Sequence, residues 1–114
     1  MSSYPLVLKQ FDGFKEDLNR LGANEKLKTV IFNCIVSIRK NEQQGKPLTA
    51  NPNTGDLSDC RKFYIDSEPE IKPRYRLVYR ILPTEQDAQI LELIAFGLRK
   101  NLSAYATAVS RLER

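Results

Sequence analysis

The side chains able to do chemistry in this chain are cations and phenols, and they gather in its second half. Lys62 and Tyr64 stand close together, Arg74, Arg76 and Arg80 follow two and then four residues apart, and Arg99, Lys100 and Tyr105 come after the next apolar run. Guanidinium forks pair bidentately with phosphate oxygens, and a tyrosine ring stacks on a base, so such a set suits a phosphodiester backbone. Histidine is absent altogether. Its absence removes imidazole acid–base catalysis, His-dependent nucleophilic triads and nearly all zinc sites. Cys34 and Cys60 are the only cysteines and lie far apart in sequence, so a Cys/His metal cluster cannot be built. Neither a metal nor a cofactor is expected. Any catalysis must run on Lys, Arg, Tyr or carboxylates.

These side chains need elements to hold them. Leu6, Val7 and Leu8 read as a short strand, with Pro5 suited to its first position or to a sheet edge. Phe11, Phe14, Leu18 and Leu21 recur at helical spacing, with Asp12 near the start and Gly22 just past the end. Leu27, Val30, Ile31, Cys34, Ile35 and Ile38 form a second stripe, with Asn24 as N-cap and Gly45-Lys46-Pro47 as the stop. The two make an antiparallel helical hairpin. Gly45, Pro47, Asn51, Pro52, Asn53, Gly55 and Asp56 mark residues 45–59 as a loop. After it the period changes to two. Residues 61–65, 74–82 and 89–97 read as strands, the last a nearly unbroken apolar run fit for a central position. Asp66 to Pro73 is a charged connection, Pro83 ends the second of these strands, and Ser103 caps a terminal helix carrying Tyr105, Ala106, Val109 and Leu112. Helices grouped early and strands late argue α+β: an N-terminal strand, the hairpin packed on a mostly antiparallel sheet of about four strands, and a short C-terminal helix.

Alternation then sorts the strand residues. Tyr75, Leu77, Tyr79 and Ile81 share one face of the 74–82 strand, and Phe63 and Ile65 one face of the 61–65 strand. With those faces on the helices, Lys62, Tyr64, Arg76 and Arg80 share the open face, and Arg99 and Lys100 close one rim. A charged strand face also arises simply from solubility and the need to block edge pairing. Glu92 is a ready partner for Arg76, and Asp59, Asp66, Glu68 and Glu70 dilute the local charge.

The bulk numbers fit a single domain over residues 1–114. Of the 114 residues, 41% are hydrophobic and 28% charged, the balance of a globular chain rather than a disordered one. Net charge is +4, which raises the prior for an anionic partner without naming it. No apolar run approaches the roughly 20 residues that span a bilayer. The start has neither a basic region nor a long apolar one, so no signal peptide and no membrane partner are expected. Cys34, among apolar residues at helical spacing, reads as core, and a reducing cytoplasm is the expected compartment.

Four fragments carry a family likeness. Leu57-Ser58-Asp59-Cys60-Arg61-Lys62, Tyr75-Arg76-Leu77-Val78-Tyr79-Arg80-Ile81, Gly97-Leu98-Arg99 and Tyr105-Ala106-Thr107-Ala108-Val109-Ser110-Arg111-Leu112 resemble, in order and spacing, the RelE toxins of the RelE/ParE superfamily of bacterial type II toxin–antitoxin pairs. The N-terminal half agrees in architecture. The resemblance implies a ribosome-dependent endoribonuclease that cuts mRNA, held inactive by a cognate antitoxin, the complex of the two binding operator DNA. It implies that Lys62 stabilises the scissile region, Arg76 binds phosphate, Arg99 stabilises charge or protonates the leaving group, and Tyr105 positions or deprotonates the attacking 2′-hydroxyl. Arg61, Tyr64, Arg74, Arg80 and Lys100 would contact RNA around them. Where RelE toxins carry a second lysine two residues after the first, this chain has Tyr64, and Ser67-Glu68-Pro69-Glu70-Ile71 extends a turn that is shorter in the family.

The implied chemistry needs an in-line 2′-hydroxyl and charge stabilisation on a phosphorane, which positioning and arginine supply. A phenol with a pKa about 10 is a poor base at neutral pH, but clustered cations favour phenolate, and this is the expectation for Tyr105. Tyr105 also lies at helical spacing from Val109 and Leu112, where a core tyrosine belongs. A second class of function shares the fold: a non-catalytic ParE-like toxin that poisons DNA gyrase. A third is a partner that only regulates DNA binding of an antitoxin.

Overall fold

Each helix is drawn onto the sheet by its apolar stripe and closed by capping chemistry. In this computed structural model, which describes residues 2–51 and 55–114, the order is β1 (Val7–Gln10), α1 (Gly13–Arg20), α2 (Glu25–Arg39), β2 (Lys46–Pro47), β3 (Ala50–Asn51), β4 (Gly55–Asp56), β5 (Cys60–Ile65), β6 (Tyr75–Pro83), β7 (Ala88–Leu98) and α3 (Ser103–Arg111). Of the expected turn formers, Pro52 and Asn53 lie outside the described residues.

The turn between the first helices is sharp because Gly22 adopts φ +66°. Its N–H donates to Asn19 O, and Ala23 N–H donates back to Leu18 O at 3.1 Å, a Schellman closure. Asn24 Oδ1 then accepts from Leu27 N–H at 2.9 Å and starts α2. That helix ends earlier than the expected stop at Gly45. Asn41, at φ +60°, takes the left-handed position, and Glu42 N–H reaches back to Ser37 O.

The sheet has five strands in the order β1-β7-β6-β5-β2, and β3-β4 form a separate two-stranded pair. The expected number was about four. The extra strand comes from β2, whose Lys46 and Pro47 pair with Lys62 and Arg61 inside what reads as loop. β1 runs parallel to β7, while β7, β6, β5 and β2 are antiparallel neighbours. β1 also sits one residue later than its apolar triplet suggests. Leu6 is fully buried, its N–H bonded to Arg39 O and its carbonyl to Arg39 Nε, so it joins helix to strand.

Both faces of the sheet are covered. Leu27, Ile31, Cys34, Ile35 and Ile38 of α2 and Phe14 of α1 pack on Leu77, Tyr79, Ile81, Leu91, Leu93 and Phe96. A smaller core on the other side joins Leu57, Cys60, Val78, Ile94 and Ala95 to Ala104, Tyr105 and Ala108 of α3. The register of β6 on β7 steps from Val78↔Ala95 to Tyr79↔Leu93, so Ile94 is an extra residue. This bulge lets Ile94 and Ala95 both serve the second core. The face expected to stay open is therefore partly closed by α3, which lies down on β6 and β7.

Two small features hold α3 there. A Cβ on Gly97 would come within 2.9 Å of Ala104 Cβ and 3.3 Å of its backbone, so only glycine lets the first turn of α3 approach β7 this closely. At the far end Arg111 donates to both oxygens of Asp17, at 2.7 and 2.9 Å, and to Ile94 O at 2.7 Å. Asp17 is 0% exposed and accepts further bonds from Arg20 and from Phe96 N–H. Burial alone would push its carboxyl up, but the Arg111 and Phe96 hydrogen bonds outweigh it and hold the group below the ordinary carboxylate range. The helix start differs from expectation. Ser103 is the first helical residue rather than the cap, and Asn101 Oδ1 accepts from both its N–H and its hydroxyl.

Candidate functional site

Cross-strand pairing places the candidate residues in two rows. Tyr64 on β5 faces Arg76 on β6, which faces Gly97 on β7. One step along, Lys62 faces Val78, which faces Ala95. Side chains on one face of neighbouring strands lie within reach of each other, so Lys62, Tyr64 and Arg76 meet over the gap that Gly97 leaves. Arg99 follows β7, its N–H bonded to Arg74 O at 2.8 Å, and Tyr105 enters from the first turn of α3.

Tyr64 is the centre of the cluster. The Arg99 guanidinium carbon stands 4.2 Å from its ring centroid, Lys62 Nζ 5.1 Å and the Arg76 guanidinium carbon 5.7 Å. Cations at these distances are held by the ring quadrupole and favour ionisation of its hydroxyl. Hydrogen bonding from Lys62 is the largest influence. With help from Arg99 and the charge of Arg76 it overcomes partial desolvation and brings the Tyr64 phenol down to about 8. Lys62 is held protonated in return, by Tyr64 first and also by the Tyr105 phenol. The lowered phenol is thus Tyr64, which stands where the RelE resemblance implies a second lysine, whereas the sequence reading looks to Tyr105 for an activated phenol.

Arg76 and Tyr105 form the floor. Arg76 is 5% exposed, with its guanidinium carbon 4.3 Å from the Tyr105 ring centroid. Its two terminal nitrogens donate to Arg99 O at 2.8 Å and Asn101 O at 3.0 Å, while its buried Nε has no partner among the described residues. Tyr105 is 8% exposed and belongs to the second core. Arg76 therefore fixes the chain segment that carries Arg99 and the ring that backs Lys62, instead of lying on an open face.

The remaining expected contacts scatter. Arg80 pairs with Glu92, the carboxylate that offered Arg76 an alternative to a functional role, and lies 3.6 Å from Asp59. Arg61 is occupied by Glu85, at 2.6 and 3.1 Å, and by Gly45 O. Arg74 clamps Asp66 through its side chain and its N–H, which closes the 66–74 loop and drives that carboxyl well down. Lys100 lines an open groove of about 460 Å³ with Lys72, Pro73, Leu98 and Arg99. What converges is Lys62, Tyr64, Arg76, Arg99 and Tyr105, with Lys100 on the rim. Among the described residues no group of His, Cys, Asp and Glu side chains could hold a metal ion.

Comparison with known proteins decides the family. The profile of the ParE toxin of the type II toxin–antitoxin system, parDE, matches residues 8–102. This chain belongs to the ParE toxin family. That places it in the RelE/ParE superfamily read from the fragments, as a toxin of a type II pair with a cognate antitoxin as partner. No curated protein matches the chain. Two solved structures are similar to this ParE-family chain, both solution structures of conserved hypothetical proteins from Helicobacter pylori. HP0892 is 24% identical over 83% of this chain and 96% of its own, with a TM-score of 0.49. HP0894 is 24% identical over 85% of this chain and 98% of its own, with a TM-score of 0.46. Among the described residues no helix is long and apolar enough to cross a membrane.

Proposed function

We propose that this toxin is a metal-independent endoribonuclease that cuts mRNA, with Tyr64 as the general base. The observation that carries the reading is a partly exposed phenol, brought down to about 8, held between the Lys62 ammonium and the Arg99 guanidinium. Cleavage of RNA by its own 2′-hydroxyl needs a general base, and a phenol lowered in this way suits that task.

In this scheme the Tyr64 phenolate takes the 2′-hydroxyl proton as O2′ attacks phosphorus in line. Lys62 and Arg99 stabilise the charge that builds on the non-bridging oxygens. The bond from phosphorus to O5′ breaks, and O5′ takes a proton from Lys62. The products are a 2′,3′-cyclic phosphate and a 5′-hydroxyl end, and the two residues exchange their protons back through water. Arg76 and Tyr105 act as positioning residues through Arg99 and Lys62.

Ribosome dependence is part of this reading. Arg61, Arg74 and Arg80 are paired to carboxylates, so the cations left to meet a backbone at the site itself are chiefly Lys62, Arg99 and Lys100, and a weak grip on free RNA is the expectation. An mRNA presented by the ribosome needs no such grip. The experiment is to induce the toxin and map mRNA 5′ ends within minutes, beside a Tyr64→Phe variant. In-frame cuts that vanish in the variant support the reading. A second reading, a non-catalytic inhibitor of DNA gyrase, is favoured by the ParE family match. Intact mRNA together with gyrase-linked DNA damage would establish it instead.

A further inference from the structure

Arg99 has two neighbourhoods. On one side its guanidinium carbon stands 4.2 Å from the Tyr64 ring centroid. On the other it lines the open groove of about 460 Å³ where β6 begins and β7 finishes, together with Lys72, Pro73, Arg74, Leu98 and Lys100. The groove thus starts one side chain away from the phenol. Its volume falls within the range of about 300–1,000 Å³ typical of small-ligand sites. Its surface is mainly carbon, supplied by Pro73, Leu98 and the stems of the long cations.

One wall of this groove is held in place before any ligand arrives. Asp66 accepts from the N–H groups of Ser67 and Glu68, and from both the N–H and the guanidinium of Arg74, so the ends of the 66–74 loop are tied together. Lys72 and Pro73 are presented at the groove by that closed loop. The charge is one-sided. Four of the six lining residues are cations and none is a carboxylate. Arg74 is taken by Asp66, but among the described residues no carboxylate pairs with Lys72, Arg99 or Lys100. Two backbone acceptors of the lining residues are also engaged, Arg74 O by Arg99 N–H and Arg99 O by Arg76. The groove therefore offers N–H donors above an apolar floor. A nucleotide matches both in one unit, with a flat ring for the floor and anionic oxygens for the donors.

We propose that this loop-walled groove is a nucleotide subsite for single-stranded RNA. It holds a base against Pro73 and Leu98 and the outer phosphate of that nucleotide on Lys72 and Lys100, while Arg99 is shared with Tyr64. The nucleotide seated there is the neighbour of the phosphate to be cut. Holding it fixes the strand on one side of the reacting group, which is what brings O2′ and phosphorus into line over the phenol. Its place next to the cleaved phosphate rests on the nuclease reading; the capture of a nucleotide by the groove does not.

The probe is a 2′-O-methyl tetraribonucleotide, which lacks the hydroxyl needed for its own cleavage, titrated into the full-length toxin and followed by NMR. The amides of Lys72, Arg74, Leu98, Arg99 and Lys100 should shift together and saturate. Lys72→Ala should lower the slope of log affinity against log salt by about 0.7, the share of one phosphate on a single strand, and weaken binding about fivefold at about 0.1 M salt. Lys9→Ala, the same loss of charge on β1, should leave the slope as it is. Shifts that miss the groove, or an unaltered slope in Lys72→Ala, overturn the proposal. Full displacement of the oligonucleotide by an equimolar Glu-Leu repeat peptide overturns it too, because the groove would then be a protein-binding site. Intact mRNA in cells alongside saturable shifts in the groove would remove the nuclease reading and leave the subsite standing. Cut mRNA with no shifts in the groove would do the reverse.

Discussion

Replacing Lys62 by methionine separates an activated phenol from a merely exposed one. An unperturbed tyrosine ionises near pKa about 10, so roughly a thousandth is phenolate at pH 7, whereas the Tyr64 value of about 8 makes it roughly a tenth. The activation is therefore about 100-fold in available base. Lys62 supplies the largest share, and Arg99 and Arg76 remain when it is gone. If Lys62→Met removes half of the shift, phenolate at pH 7 falls about 10-fold and the acidic limb of the pH–rate profile moves up by about one unit. The plateau above it also drops, because Lys62 no longer stabilises the phosphorane. Single-turnover cleavage from about pH 6 to pH 10 gives the limb, and the ring resonances of Tyr64, followed by NMR over the same range, give the ionisation itself. Equal midpoints in wild type and variant, or a wild-type Tyr64 that titrates near 10, would refute the reasoning. There is a stability corollary with a definite sign. Folded Tyr64 ionises before the unfolded chain does, so its contribution grows as pH rises through about 8 and levels off near the unfolded value of about 10.

Other expectations can be checked by urea unfolding and activity together. Asp17→Asn removes the buried carboxylate that neutralises the half-buried Arg111, which keeps only its bond to Ile94 O, and should cost about 3 kcal/mol, read as a lower urea midpoint. Gly97→Val pushes the first turn of α3 off β7, for a loss of about 1–3 kcal/mol, and uncouples Tyr105 from Arg76 so that activity falls with stability. Arg76→Ala should lower both as well, because the part-buried Arg99 and Asn101 carbonyls lose their donor at about 1 kcal/mol each, whereas Arg99→Ala should lower activity with stability within about 0.5 kcal/mol. Asp17, Asp59 and Asp66 are all held below the ordinary carboxylate range, so what they add is present above about pH 4 and is lost as pH falls through their folded values. The urea midpoint should accordingly be steady from neutrality down to about pH 5 and decline below about pH 4.

The parts of this molecule legible in the sequence are those ruled by local periodicity. The helical stripes, the Gly22 and Asn24 punctuation and the alternation of β5 and β6 led to nearly correct elements, because each depends on residues close together in the chain. What failed was set by contacts far apart. The two-residue strand β2 has no periodicity to show, and only the nearness of Gly45 to Lys62 creates it. Alternation predicted an open face carrying Arg76 and Arg80, but it could not foresee that the Ile94 bulge and the bare backbone of Gly97 let α3 settle there. Gly97 itself was a signal, since a glycine inside a strand marks a close approach. Asp17 carried none, standing beside an apolar stripe like any surface acid until Arg111 arrives from the other end of the chain. The site was half legible. Lys62, Arg76, Arg99 and Tyr105 do converge, yet the phenol lowered by its cations is Tyr64, and the proposed base role goes with it because pairing across β5 and β6 decides which ring those cations surround.

The most direct measurement is the chemistry of the ends produced when purified toxin acts on mRNA in programmed ribosomes, wild type beside Tyr64→Phe. The expected result is a 2′,3′-cyclic phosphate upstream and a 5′-hydroxyl downstream, formed at least about 100-fold faster by the wild type. Uncut mRNA, or equal cleavage by the two proteins, would contradict a catalytic role for this phenol.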